Sequence, residues 1–301
     1  QKQWVGATDD ESIRALNRAI DLGLNFIDTA LAYGEGHSEV LVGQVVRSRK
    51  EKILVATKIP PKNLLWPAGK TIPVQEVFPA KHVIECTEQS LQNLNLDAID
   101  VQQLHVWDDS FVGQGDWIEA VEKLKKQGKI RFFGVSIGEH EPENGIKLFE
   151  TGVADTVQLI YNIFDQRPED KLFAVCRRLQ IGVIVRVPLD EGGLSGKITP
   201  DPRFEKGEFR EMYFGGDRPR QIYERVSKIV ADLGITTEQM PETALRFVLS
   251  HPDVSTVIPG MRSGKHAESN CAMGDGKGLP KEQIANLRKH RWIRNFYQPA
   301  T

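Results

Sequence analysis

The sequence predicts a parallel α/β barrel of the (β/α)8 TIM type, with one strand fewer in view than a closed barrel needs. Three observations predict it. Short apolar, β-branched runs alternate without a break with longer amphipathic runs, the pattern of a parallel sheet wrapped by helices. The strand-like runs are nearly continuous in apolar residues, as strands buried on both faces are. No GxGxxG follows the first strand, which disfavours an open doubly wound sheet built to hold a dinucleotide.

The elements follow in order. Residues 9–22 read as a helix through Ile13, Leu16 and Ile20, with Gly23 to end it. A strand over 25–30 comes next, then a helix over 40–46 with Ser38 as a possible cap. Strands are expected over 52–58, 99–105, 130–136, 156–160, 182–187 and 255–258. Helices are expected over 80–94, 117–127, 143–150, 168–179, 222–233, 242–249 and 281–292. No linker divides the chain, so residues 1–301 read as a single barrel domain. The long connections 59–79, 106–116 and 189–220 each follow a strand, so they gather at the barrel end that carries active sites.

Composition narrows the function classes. A net charge of −2 offers no basic field for nucleic acid, and no apolar run approaches the ~20 residues of a membrane helix. Cys86, Cys176 and Cys271 are far apart and form no CxxC, so neither a metal site nor a disulfide framework is expected; idle thiols in a reducing cytoplasm are. His37, His82, His251 and His290 show no ligand spacing. The basic runs 47–52 and 123–126 read as solvated helix faces. Trp66, Trp107, Phe111, Tyr213 and Phe214 lie in the long loops, either as loop packing or as walls of an apolar substrate pocket.

In a barrel, polar residues at the carboxyl ends of strands read as catalytic. Asp28, Lys58 and His105 occupy three such ends, and Tyr33 follows Asp28 by one loop step. A phenol is a poor acid at neutral pH, and an ammonium beside it favours release of its proton. A carboxylate next to the lysine keeps the ammonium charged and in place. An imidazole can orient a carbonyl or help pass a proton. The set suits protonation of a carbonyl oxygen while hydride arrives at carbon. Any one of these residues alone reads more simply as a strand-end cap, and spacing alone supports a barrel enzyme with acid–base chemistry.

These residues sit in longer motifs that resemble the aldo-keto reductase family. The stretch LGLNFIDTALAYGEGHSEVLVG, residues 22–43, is similar to the family's first signature. VATK (55–58), DVQQLH (100–105), GKIRFFGVS (128–136), QLIYN (158–162), GGLSGK (192–197) and VIPGMRS (257–263) follow in the family's order. The resemblance implies NADPH-dependent reduction of an aldehyde or ketone to an alcohol. It implies a tetrad of Asp28, Tyr33, Lys58 and His105, with Tyr33 as general acid. It implies NADP lying across the barrel mouth: Ser136 and Gln158 at the nicotinamide carboxamide, Leu189 to Lys197 with Gly192 over the pyrophosphate, and Gly260, Arg262, Ser263, His266 and Asn270 at the adenosine phosphate. Some proteins resembling the family serve instead as redox-sensing subunits of larger assemblies, with slow or no turnover. A barrel isomerase or lyase forming a Schiff base on Lys58 is a third reading.

Four departures from the family pattern stand out. Ile137 replaces an Asn that would bond the carboxamide. Arg186 stands where an aromatic commonly stacks on the nicotinamide; its planar guanidinium can also stack, with Asp190 or Glu191 as partner for its charge. Ser269 replaces an acidic residue, and with Arg262 and Lys265 nearby the site favours NADP over NAD. Finally, the chain runs directly into its first helix, so a strand and hairpin of roughly 20–30 residues is expected upstream of Trp4.

Overall fold

The computed structural model describes residues 6, 8–67, 71–138 and 141–298. Its seven strands form one sheet in sequence order: β1 (Phe26–Asp28), β2 (Leu54–Ile59), β3 (Ile99–Leu104), β4 (Ile130–Ser136), β5 (Thr156–Ile160), β6 (Gly182–Arg186) and β7 (Thr256–Val257). Every neighbouring pair is parallel. The helices are α1 (Asp9–Asp21), α2 (His37–Ser48), α3 (Val74–Val77), α4 (Ala80–Leu94), α5 (Trp117–Lys126), α6 (Ile146–Glu150), α7 (Leu172–Leu179), α8 (Phe209–Tyr213), α9 (Arg218–Leu233), α10 (Met240–Leu249), α11 (Gly264–Cys271) and α12 (Lys281–Arg288).

This is the (β/α)8 barrel architecture with seven strands among the described residues. Within them, β1 pairs only with β2 and β7 only with β6. The helical ring nevertheless comes round, because α1 packs against α11. Trp4 and the residues before it lie outside the described residues.

Two apolar cores follow from the strand pattern. One lies between the sheet and the helices and contains Trp117, Phe133, Phe149 and Phe247. The other fills the lower barrel with Ala56, Val101 and Ile184, against which half-buried Phe26 and Ile258 pack. At Gly43, α2 comes so close to α4 that a Cβ would lie 2.1 Å from the Leu94 carbonyl oxygen. That contact is with backbone, so no side chain can replace this glycine without separating the helices.

Several expected elements shift. α2 begins at His37, capped by the left-handed Gly36 and not by Ser38. Ser38 instead shares a 2.8 Å hydrogen bond with Thr29, tying the helix start to the end of β1. α6 starts only at Ile146, because Gly145 at φ 149° breaks any helix running from 143. α11 has no counterpart in the sequence periodicity. In the basic run 47–52, Arg47 donates to the Leu94 carbonyl and Arg49 pairs with Asp21 and Glu51, so these two arginines are more than solvated charges. No helix among the described residues is long and apolar enough to cross a membrane.

Candidate active site

The barrel fold brings Asp28, Tyr33, Lys58 and His105 to one mouth. Lys58 is fully buried near the end of β2, bonded to Asp28 at the end of β1 and, at 2.7 Å, to the Thr29 carbonyl. Burial by itself pushes the lysine pKa down, but the Asp28 carboxylate, and after it Tyr33, outweigh that and hold it above the usual lysine value. Lys58 is therefore a charged ammonium at neutral pH. Tyr33 lies over it, with the Lys58 Nζ 5.1 Å from the ring centroid.

Asp28 is held by two further side chains. Its Oδ1 accepts from Gln158 at 2.8 Å and from Gln103 at 3.3 Å, and the Gln158 amide also reaches Gln103 Oε1 at 3.3 Å. Gln103 is a site residue that the strand-end rule misses, because it lies one residue inside the end of β3. A signal was available: a glutamine buried in an apolar strand must find a hydrogen-bond partner inside the barrel.

His105 follows β3 and donates its backbone N–H to the Ile59 carbonyl at 2.9 Å. Its ring stands edge-on to Tyr33, centroids 5.6 Å apart, and to Trp66 at 4.6 Å. Burial, then the positive charges of Lys58 and Arg186, hold the imidazole pKa well below its ordinary value. The ring is thus neutral at physiological pH, suited to offering a hydrogen bond and unsuited to serving as the acid.

The loop aromatics divide. Trp107, Phe111, Tyr213 and Phe214 are buried and pack on one another or on neighbouring rings, so they are loop core. Trp66 is 47% exposed, next to exposed Leu64 and Leu65, and walls the mouth beside His105.

At the cofactor positions, Ser136 at the end of β4 is buried and pairs in register with Gln158. Arg186 ends β6 and donates to the Ile137 carbonyl at 3.2 Å, so residue 137 contributes through its backbone at the mouth. Asp190 does not act as a dedicated partner for Arg186: it is buried against Arg294 and accepts from the Tyr213 hydroxyl at 3.2 Å. Glu191 accepts from the Tyr297 hydroxyl at 2.8 Å.

The segment from Val187 to Lys197, which includes the loop from Leu189, has an unusual backbone. Val187, Asp190 and Glu191 have φ of 55°, 54° and 54°. Left-handed conformations in such residues cost on the order of 1–3 kcal/mol each and persist only where surroundings enforce them. Gly193 lies under the Asp190 carboxylate, where a Cβ would meet Oδ2 at 2.4 Å.

The last cluster forms around α11. Ser263 caps it, its hydroxyl accepting from the His266 N–H at 3.3 Å, and Asn270 reaches the Gly260 carbonyl at 3.4 Å. His266 is lowered below its ordinary pKa by partial burial and then by Lys197, Arg262 and Lys265. Lys197 of the loop thus lies close enough to the start of α11 for its charge to act on His266 alongside Arg262 and Lys265. A capped helix start beside three cations is suited to a phosphate.

The model of the aldo/keto reductase family matches residues 1–291. The methylglyoxal reductase YeaE of Escherichia coli is 32% identical over 278 residues, covering 92% of this chain and 83% of its own. A glycerol dehydrogenase of Gluconobacter oxydans has TM-score 0.76 at 26% identity, covering 96% of this chain and 87% of that one. An aldo/keto reductase of Klebsiella pneumoniae, solved with NADP and acetate, has TM-score 0.66 at 27% identity, covering 97% and 91%.

Proposed function

The chain belongs to the aldo/keto reductase family, and we propose that it reduces an aldehyde or ketone to the alcohol, using NADPH and Tyr33 as proton donor. The observation that carries this reading is the buried, charged Lys58, fixed by Asp28 and set against the Tyr33 ring beside a neutral His105.

The residues present fit NADP. Lys197, Arg262 and Lys265 act on His266 at the start of α11, where Ser263 caps the helix and Asn270 reaches Gly260, a cationic setting that would suit a 2′-phosphate. The loop from Leu189 through Gly192 would cover the pyrophosphate. Ser136, Gln158 and Arg186 would meet the nicotinamide. When bound, NADPH supplies hydride to the carbonyl carbon. The neutral His105 positions the carbonyl oxygen by donating a hydrogen bond. Tyr33 gives its hydroxyl proton to that oxygen, and the Lys58 ammonium stabilises the phenolate left behind. Asp28 keeps the ammonium charged and aimed. Trp66, set against the His105 ring, would shield the site from water on one side. A charged Lys58 weighs against the Schiff-base reading, which needs a neutral amine. We place the protein in the reducing cytoplasm, which its three free cysteines suit.

The test is NADPH consumption across aldehydes, ketones, quinones and keto-sugars. Steady turnover proportional to protein is expected with at least one class. A single turnover followed by a stall would support the redox-sensing subunit. Borohydride trapping of substrate on Lys58 without cofactor would support the Schiff base.

Arg186 offers a finer test. We place its guanidinium flat against the nicotinamide, where its positive charge opposes the charge the ring gains on oxidation. Arg186→Tyr should then tighten NADP+ binding, about tenfold if one like-charge repulsion is relieved, with little change in substrate preference. A raised KM for acidic or sugar-like substrates with unchanged cofactor affinity would place Arg186 at the substrate instead.

A further inference from the structure

Residues 292–298 lie beyond the span matched by the family model, yet they are built into the mouth of the barrel. Trp292 donates its backbone N–H to the Phe164 carbonyl at 2.8 Å. Phe296 is buried against Trp292 and Tyr213. Arg218, at the start of α9, donates to the Phe296 carbonyl at 3.0 Å and to the Gln298 carbonyl at 2.6 Å, clamping the segment from outside.

From this anchored strap two side chains reach the strained loop. Arg294, its side chain 10% exposed, pairs with the 3% exposed Asp190 carboxylate, and its guanidinium stacks over Phe164, Trp292 and Phe296. Tyr297 donates to Glu191. Burial, then Glu191, keep the Tyr297 phenol well above its ordinary pKa, so it remains a donor. The two residues held are the two consecutive left-handed ones, Asp190 and Glu191. A backbone that is unfavourable alone is thus fixed by contacts from a segment distant in sequence.

We propose that the strap 292–298 is a latch: Arg294 and Tyr297 act as positioning residues that hold the loop over the cofactor and so set how fast the cofactor leaves. The proposal rests on the NADP reading for the second half of that statement and not for the first. Arg294 is committed to Asp190 and to the three rings it lies over, the contacts of a positioning residue. It acts through Asp190, and the loop carries the effect to Lys197 and the basic cluster at α11.

The test uses the full chain and two variants. Arg294→Met removes the charge that pairs with Asp190; Tyr297→Phe removes one hydroxyl and leaves the ring packing intact. The first readout needs no cofactor: amide hydrogen exchange of residues 187–195 should speed about tenfold in Arg294→Met and a few-fold in Tyr297→Phe, the scale of a lost charged hydrogen bond, with the sheet unchanged. The second is NADPH release by stopped-flow fluorescence, which should accelerate in the same order. Hydride transfer in a single turnover should keep its wild-type rate, which a general loss of structure would not allow. If Arg294→Met fails to fold, Tyr297→Phe decides alone. Wild-type exchange and wild-type release in a folded variant overturn the latch. Faster loop exchange in a protein that binds no NADPH would keep the strap's hold on the loop, overturn its role in release and sink the NADP reading with it.

Discussion

Tyr33→Phe should bind NADPH as the parent protein does and reduce carbonyls roughly 10²–10⁴-fold more slowly, the usual contribution of a positioned proton donor. The substitution removes one hydroxyl at a half-buried position and leaves the ring beside His105 and over Lys58. The neutral His105 cannot substitute as acid, because burial and two neighbouring cations keep it unprotonated. Steady-state rates with an unactivated aldehyde, together with NADPH titration by fluorescence, check both halves. Near-normal turnover would remove Tyr33 from the role.

Lys58→Met should be the more damaging change, because it strikes the fold as well as the chemistry. Lys58 is 1% and Asp28 7% exposed at the side chain, so solvent screens the pair little. Removing one member leaves Asp28 buried with only the two glutamine amides, and losses of this type cost about 3–5 kcal/mol. The sign of the pH effect is defined. The folded-state lysine pKa lies above its unfolded value, so the stabilisation is fully present below about pH 10 and lost only as pH rises through the folded value. Urea midpoints of wild type and variant should therefore differ by a constant amount across neutral pH and converge only in strong alkali. Equal midpoints at neutral pH would show that the pair adds nothing to stability.

Much of this architecture is legible in the sequence. The limits of β4, β5 and α4 coincide with their expected spans, because each is a long, unambiguous run with clear ends. That Asp28, Lys58 and His105 share one mouth is legible because barrel topology carries strand ends to one side; the roles assigned to them and to Tyr33 come from the family resemblance. What stayed hidden has physical causes. α11 has one buried residue, Ala267, and no apolar stripe, so periodicity is silent there. β7 spans two residues against an expected four, and among the described residues it pairs on one side only. The destinations of Asp190 and Arg294 were unreadable: charges 104 residues apart in sequence reveal nothing of their pairing until the chain is folded. Gln103 fell between rules, being polar but not terminal.

The bonds around Asp28 have one more implication. That carboxylate is joined to side chains from β2, β3 and β5, so four strands meet at a single group in the barrel's interior. The group of side chains proposed to support proton transfer is also the upper plug of the barrel. Selection acting on one will therefore be felt by the other. In a saturation-mutagenesis library, cellular abundance and reductase activity should fall together at Asp28, Lys58, Gln103 and Gln158, and should separate at Tyr33, which hangs from a loop outside that knot. Altered specificity is thus easier to reach through the mouth's rim, around Trp66, than through its floor.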